Sequence, residues 1–368
     1  MPSSEARKYY FGFDRGFPLF SPSRSKDYLL KCERIHISDA WSFLNYTIRV
    51  SRDGNTNRPV NQGQQKFLVD LLEQAEYFYE TAQSAPIKSQ PLLYYYSFIN
   101  LVNIVINLDK YQGNGKRHVH GISESIAANS KLSSAEIKLW NSSGGDISNS
   151  EYLIRLLEDP PLTYVNPKGG RGGGRCSVKM IDLMRDCVGI HRTFCEIYHK
   201  QEHFHKLSEC EFFSQNRKLF FYSLIEKCND TVMSGLQARG YNIIKVDDLT
   251  YLWEIDTSVR TTANPTIAEM HTLSKKMRSL GLWSYSNGDE YELFVSPTAL
   301  RMSSPSIIYH AMFFLGSITR YHPDLFDSIL SAKEYWMVSE FLRTQPQQFL
   351  SHMLSLINGA EVLFSLQA

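Results

Sequence analysis

Apolar residues recur at helical spacing along several stretches of this chain, and two consecutive stretches dominate the pattern. From about Gln64, Leu68, Leu71, Leu72, Ala75 and Phe78 fall at i, i+3, i+4, i+7 and i+10, with Glu73, Gln74 and Glu76 opposite. That predicts an amphipathic helix. A polar link from Ser84 to Pro91 follows, and then Leu92 to Leu108 is apolar nearly all round. A helix with no polar face belongs at the centre of a bundle. Its exceptions are Asn100, Asn103 and Asn107, one stripe at i, i+3 and i+7. Buried amides need partners, so the stripe either faces solvent and neighbouring loops or forms a polar seam leading to a site. The helix pattern breaks at Gly113-Asn114-Gly115, followed at once by Lys116, Arg117, His118, Val119, His120 and Gly121.

The flanking regions carry weaker patterns. Residues 1–60 read as short extended pieces and turns, with a polar loop at its end. Two further helices are predicted near Ala135 (SAEIKLW) and over EYLIRLLEDPP, the latter stopped by Pro160 and Pro161. The Gly-rich stretch 168–175, KGGRGGGR, lacks the GK[ST] of a phosphate-binding loop and reads as a surface loop. Ser177 to Tyr198 looks helical through Met180, Ile181, Met184, Val188 and Ile190. From about Glu211 to Pro297 the period shortens. KLFFYSLIEK, YNIIKVDD, LTYLWEID and EYELFVSP read as strands, with a hairpin turn at Asn287-Gly288 and a helix over Ile267 to Leu280. Helix then returns: it starts at Ser304-Pro305, stops before Pro323, resumes after a Ser331-to-Glu334 capping box, and restarts at Pro346 to end near Gly359. The expected fold is mainly α, a helical bundle with an α+β insertion carrying a small antiparallel sheet. The expected divisions are 1–60 (N-terminal mixed segment), 61–205 (helical region), 206–300 (insertion) and 301–368 (C-terminal helices packing back on the bundle).

Composition narrows the function classes. Lys+Arg is 39 against Asp+Glu 38, which excludes a whole-protein electrostatic footprint for duplex DNA or a membrane surface but leaves room for a local basic site. Hydrophobic residues at 43% suffice for a sizeable core. The 6 cysteines show no CxxC spacing, so reduced thiols and a cytoplasmic protein are expected. Cys195, His199, His203 and His205 are the nearest thing to a zinc set, but close-spaced ligand pairs are missing. No metal or cofactor is expected. The first residues lack an apolar signal core, and no run of about 18 apolar residues is evident, so no membrane partner is expected.

The segments KFLVDLLEQAEYFYE, PLLYYYSFINLVNIVIN and KRHVHGI, within Lys66 to Ile126, together resemble the HEPN helical-bundle superfamily. A closer resemblance is to the bacterial YaaC-like family, through the same segments and LGSITRYHPDLF, with Leu315, Ser317, Arg320, Tyr321 and Pro323. The resemblance implies a HEPN-like bundle. Many HEPN proteins are metal-independent ribonucleases, in which a His serves as general acid or base and a cation stabilises the phosphorane-like transition state. Their usual Arg, four-to-six residues, His spacing occurs here as Arg185 to His191 and Arg192 to His199, but a chain with 11 His produces such spacings by chance. The stronger candidate joins the two signatures: His118, His120 and Arg320 as catalytic residues, with Lys116, Arg117, Tyr95, Asn100, Tyr321 and His322 as ligand contacts. Alternatively, Arg320 pairs with a carboxylate such as Asp109 or Asp324, and His120-Gly121 is a capping turn. The expected function is a protein that binds RNA or a phosphate-bearing ligand, as an endoribonuclease of bacterial stress or phage defence. The alternative is a non-catalytic scaffold or accessory subunit that binds a nucleotide or partner protein, with a homo-oligomer, such as a dimer, expected.

Overall fold

The structure, a computed structural model, describes residues 8–11, 35–50, 52–53, 58–59, 61–108, 119–127, 131–140, 148–157, 175–215, 218–239, 241, 243–245, 250–255, 282–300, 302–358 and 361–364. In chain order the first elements are β1 (Lys8–Phe11), β2 (Ile35–His36), α1 (Ala40–Val50), β3 (Arg52–Asp53), β4 (Arg58–Pro59), α2 (Gln62–Ser84) and α3 (Gln90–Leu108). There follow β5 (Ile122–Ser125), β6 (Glu136–Trp140), α4 (Asn149–Leu156), β7 (Arg175–Lys179), α5 (Met180–Arg185) and α6 (His191–Tyr198). Then come β8 (His205–Gln215), β9 (Lys218–Ile225), α7 (Asp230–Ala238), β10 (Ile243–Lys245), β11 (Thr250–Ile255), β12 (Trp283–Ser286) and β13 (Tyr291–Val295). The last are α8 (Ser304–Tyr321), α9 (Pro323–Leu330), α10 (Tyr335–Asn358) and β14 (Val362–Leu363). The chain divides into a helical unit, 39–202 with 300–357, and a sheet unit, 1–38 with 203–299 and 358–368. The helix expected over Ile267 to Leu280 and the Gly-rich stretch up to Gly174 lie outside the described residues.

The helical unit is built around α3. Asn61 caps α2 by accepting from the Gln64 amide at 2.8 Å, and Leu68, Leu71, Leu72 and Ala75 are buried as their spacing requires. Helix α3 buries 11 of its 19 residues. It is long and apolar enough to cross a membrane by length and composition, which the sequence reading had missed, yet it packs as a core helix. Phe98 on α3 stacks on Phe349 of α10 with ring centroids 4.0 Å apart. Helix α8 approaches α3 at Gly316, where an added Cβ would lie 3.2 Å from the Pro91 carbonyl oxygen and 3.3 Å from Tyr95 Cβ. The absent side chain is what lets the two backbones close.

Several expectations are corrected. The mixed segment 1–60 contains α1, which Asp39 opens by accepting from the Trp41 amide at 2.9 Å, and which buries Leu44 and Ile48 at i, i+4. SAEIKLW forms strand β6, not a helix: Ile137 and Leu139 are buried and their neighbours half-buried, a period of two. β6 is the middle of a three-stranded antiparallel sheet with β5 and β7, so Ser177 to Lys179 is strand and the helical stretch begins only at Met180. Ser331 caps nothing ahead of it; its amide closes α9 onto Asp327, and Glu334 accepts from the Tyr198 hydroxyl at 2.9 Å. Pro346 lies inside α10 rather than opening a helix. An interior proline costs about 3 kcal/mol, but Met337, Phe341, Leu342, Phe349, Leu350 and Met353 are buried on both sides of it and hold one helix through.

The sheet unit holds a seven-stranded sheet, larger than expected, in the order β10-β11-β9-β8-β13-β12 with β1 also pairing on β8, all antiparallel. The Asn287-Gly288 turn joins β12 to β13: Gly288 takes φ +95°, and Asn287 Oδ1 accepts from the amides of Asp289 at 2.9 Å and Glu290 at 2.8 Å. Strands β2 and β14 pair in parallel.

A branched side chain at the α3–α8 contact has no room. Gly316→Val is expected to lower stability by about 1–3 kcal/mol, read as a fall in Tm by thermal unfolding. An unchanged Tm would show that the helices can part without penalty.

Candidate functional site

The turn after α3 is fixed by the start of α4. Ser148 caps α4 by accepting from the Glu151 amide at 3.1 Å. The next amides donate outward: Asn149 to the Val119 carbonyl at 2.9 Å and Ser150 to the His120 carbonyl at 3.3 Å. Gly121 follows with φ +72°, and a Cβ there would fall 2.0 Å from Ser148 Oγ. Its carbonyl accepts from the Trp140 amide at 3.0 Å. So His120-Gly121 is a capping turn, as one reading of the sequence had it, but it caps α4 rather than α3. The Ser148 side chain and the turn leave none of these first-turn donors to water.

The same turn presents the His120 side chain to α3. His120 Nδ1 lies 2.5 Å from Tyr95 Oη, with ring centroids 5.7 Å apart. Tyr95 is buried, with Phe313 at 5.3 Å and Tyr309 at 5.9 Å between centroids. Burial drives the Tyr95 phenol far above its usual range, so it stays protonated. Partial burial lowers the His120 pKa below 6.5, favouring the neutral ring. His120 is otherwise exposed, and its Nε2 has no partner among the described residues.

Behind Tyr95 the polar groups continue inward. The Tyr309 hydroxyl is a close neighbour of both Tyr95 and Asn149, yet it makes no hydrogen bond of ordinary geometry, and Asn149 Oδ1 is equally unpartnered. Asn149 Nδ2 donates to Asn103 Oδ1 at 3.1 Å, Asn107 Nδ2 to the Asn103 carbonyl at 2.7 Å, and Gln64 Nε2 to the Asn107 carbonyl at 3.0 Å. The asparagine stripe is therefore a seam tying α3 to α2 and α4. Asn100 is buried on α3. Ser150 Oγ meets His310 Nε2 at 2.7 Å, while His310 Nδ1 meets the Ser306 carbonyl at 2.6 Å, which anchors α4 to α8.

Arg320 ends α8 in an exposed position. Its Nη1 lies 3.3 Å from Tyr96 Oη and its guanidinium 5.0 Å from the centre of the exposed Tyr321 ring. Among the described residues it has no carboxylate partner, so the pairing with Asp324 does not form; Asp109 lies outside those residues. His322 Nε2 is 4.0 Å from Glu124 Oε1 on β5. His120 and Arg320 thus contact successive residues of α3, Tyr95 and Tyr96, whose ring centroids are 6.3 Å apart. Lys116, Arg117 and His118 lie outside the described residues. A half-exposed neutral imidazole backed by a phenol can exchange a proton, and an uncommitted guanidinium can take an anion.

The two Arg-to-His spacings serve structure. Arg185 grips buried Asp186 through Nε at 2.6 Å and Nη2 at 3.0 Å, and Asp186 also accepts from the Leu300 amide at 2.6 Å. His191 Nδ1 is held by the Arg185 carbonyl at 2.7 Å. Arg192 pairs with Glu196 and Glu202, and His199 ends α6 at φ 51°. Among the described residues no group of three His, Cys, Asp or Glu side chains is placed to hold a metal. Sequence reading missed Asn149, Ser150 and Tyr309. Ser148-x-x-Glu151 is the S-x-x-E start signal that would have placed the first two at a helix N-terminus; Tyr309 sits inside an apolar run with no signal of its own.

Gly121→Ala is expected to destabilise the protein by at least about 1–2 kcal/mol for the left-handed backbone alone, with the Ser148 clash added; chemical denaturation checks it. A second expectation concerns acid. Burial pushes both His310 and His352 down from 6.5 to about 4. Depressed pKa values mean this stability is whole above 6.5 and is lost as pH falls toward about 4. Denaturant midpoints measured across that window should fall, and His310→Gln should flatten the decline.

Searches among curated proteins and among solved structures each find no match to this chain. A family model described as YaaC-like Protein matches residues 17–357, which spans both signatures, the whole helical unit and most of the sheet unit. The chain belongs to the YaaC-like protein family.

Proposed function

We propose that this YaaC-like protein binds RNA or another phosphate-bearing ligand beside the N-terminal part of α3, at Tyr95 and Tyr96, and acts as a metal-independent endoribonuclease of bacterial stress or phage defence. The observation that carries the reading is the placement of His120 and Arg320 on successive tyrosines of α3, where among the described residues nothing bonds His120 Nε2 and no carboxylate pairs with Arg320. In this reading Arg320 meets a phosphate oxygen, and His120 exchanges a proton with the attacking or leaving hydroxyl. Lys116, Arg117 and His118, next before Val119 in sequence, supply further charge in this reading, and Tyr321 and His322 flank the ligand. The resemblance of Lys66 to Ile126 to the HEPN superfamily supports this chemistry, since it needs no metal. The protein would work in the cytoplasm, as a homo-oligomer.

One observation favours the second reading, a non-catalytic subunit that docks a partner protein. Trp336 is 69% exposed, Tyr77 66% and Tyr46 63%, aromatic surface of the kind a docked partner covers.

The two readings separate in one experiment. Purified protein is incubated with labelled single-stranded RNA in the presence of a chelator, and binding and cleavage are both followed. Arg320→Ala should weaken binding about tenfold or more, and His120→Ala should abolish cleavage while leaving binding largely intact. Cleavage by wild type should persist through the ordinary histidine value and fall only at lower pH, where the base with its depressed pKa becomes protonated. RNA bound but uncleaved overturns the nuclease and keeps the binding site; RNA neither bound nor cleaved overturns the first reading whole and leaves the second.

A further inference from the structure

His322 stands where one helix ends and the next begins. Its amide donates to the Ile318 carbonyl at 2.9 Å, closing α8. Its carbonyl accepts from the amides of Leu325 at 3.1 Å and Phe326 at 3.2 Å, opening α9. The backbone is held from both sides, so the imidazole leaves it from a fixed point. Its Nε2 faces Glu124 Oε1 at 4.0 Å. Glu124 is half-buried on β5, and among the described residues its carboxylate has no other partner. A carboxylate withdrawn from water calls for an N–H, and the His322 ring is what the fold brings to it.

Two separate ties bring three groups to one part of the helical unit. On α3, His120 is held at Tyr95 and Arg320 at Tyr96. On β5, His322 is held at Glu124, four residues after His120. Four residues of extended chain span about 13–14 Å at most, and Arg320 comes two residues before His322. Two imidazoles and a guanidinium therefore share one patch. We infer, on the reading given above, that His322 is the general acid of the proposed reaction and Glu124 the positioning residue that aims it.

Attack by a 2′-hydroxyl on the adjoining phosphodiester needs one proton taken and one given. His120 Nε2 takes the hydroxyl proton as that oxygen bonds to phosphorus. Charge gathers on the phosphorus oxygens, against Arg320. The bond from phosphorus to the 5′ oxygen breaks, and this oxygen takes the proton from His322 Nδ1. The products are a 2′,3′-cyclic phosphate and a 5′-hydroxyl; two protons have moved and nothing is oxidised or reduced. The partners divide the roles. A neutral phenol stands behind His120, and a carboxylate behind His322 complements a ring that carries both protons. Glu124 holds the Nε2–H in place, so Nδ1 is the nitrogen that gives its proton up, as a carboxylate orients histidine in a triad. Among the described residues nothing bonds His322 Nδ1.

The test is the dependence of cleavage on the leaving group. Full-length wild type, with labelled single-stranded RNA and a chelator, first locates a cleaved linkage. The same RNA is then made with sulfur in place of the 5′ oxygen at that linkage. A thiolate departs without a proton, so the loss of a general acid matters little there. His322→Gln should slow cleavage of the ordinary RNA about a hundredfold or more and that of the sulfur-linked RNA far less. Glu124→Gln should show the same pattern more weakly. His120→Ala, which removes the base, should abolish cleavage of both. Each comparison sets two substrates against one protein, so a partly unfolded variant still gives the true ratio. His322→Gln slowing both substrates equally, or neither, overturns the inference and leaves the proposed function standing. Wild type that leaves the RNA intact overturns the proposed function, and this inference with it.

Discussion

The arrangement at the His120 turn depends on three carbonyls finding donors. Peptide groups packed against other backbone are rarely left without partners. Here Val119, His120 and Gly121 give their carbonyls to Asn149, Ser150 and Trp140. The start of α4 has amides that its own helix cannot use, so each side supplies what the other lacks. Only glycine can hold the third position, because its backbone is left-handed and Ser148 fills the space a side chain would need. The position of the His120 imidazole against Tyr95 follows from that exchange.

Much of the fold was legible where one strong period ran unopposed. Helices α2 and α3 and the hairpin between β12 and β13 show this, since Leu68, Leu72 and Ala75 repeat at helical spacing and Asn287-Gly288 is a turn of specific chemistry. Legibility failed where tertiary pairing decided. Glu136 to Trp140 carries two buried apolar residues, too few to fix a period, and its partners across the sheet, Ile122 on β5 and Val178 on β7, settle the matter. Pro346 misled for the opposite reason: a local rule was right about cost and silent about the burial that outweighs it.

The candidate site was legible in part. Arg320 and His120 stood out because charged and titratable residues next to a helix break are uncommon in apolar surroundings, and both do end beside α3. The asparagine stripe was visible but ambiguous, since spacing cannot tell a solvated face from a seam. Its resolution required Asn149, the first residue of α4, some distance along the chain. Tyr309 could not have been found at all. A tyrosine within a run of apolar residues is read as core, and here it is core in every respect except its hydroxyl.

The parallel pairing of β2 with β14 has a bearing on biogenesis. β2 leaves the ribosome well before β14, and α3 likewise waits for α8 and α10 before its faces are covered. Neither unit can close until its late segments have been made. Until then α3 is open to whatever holds nascent chains, and contacts this distant in sequence form slowly.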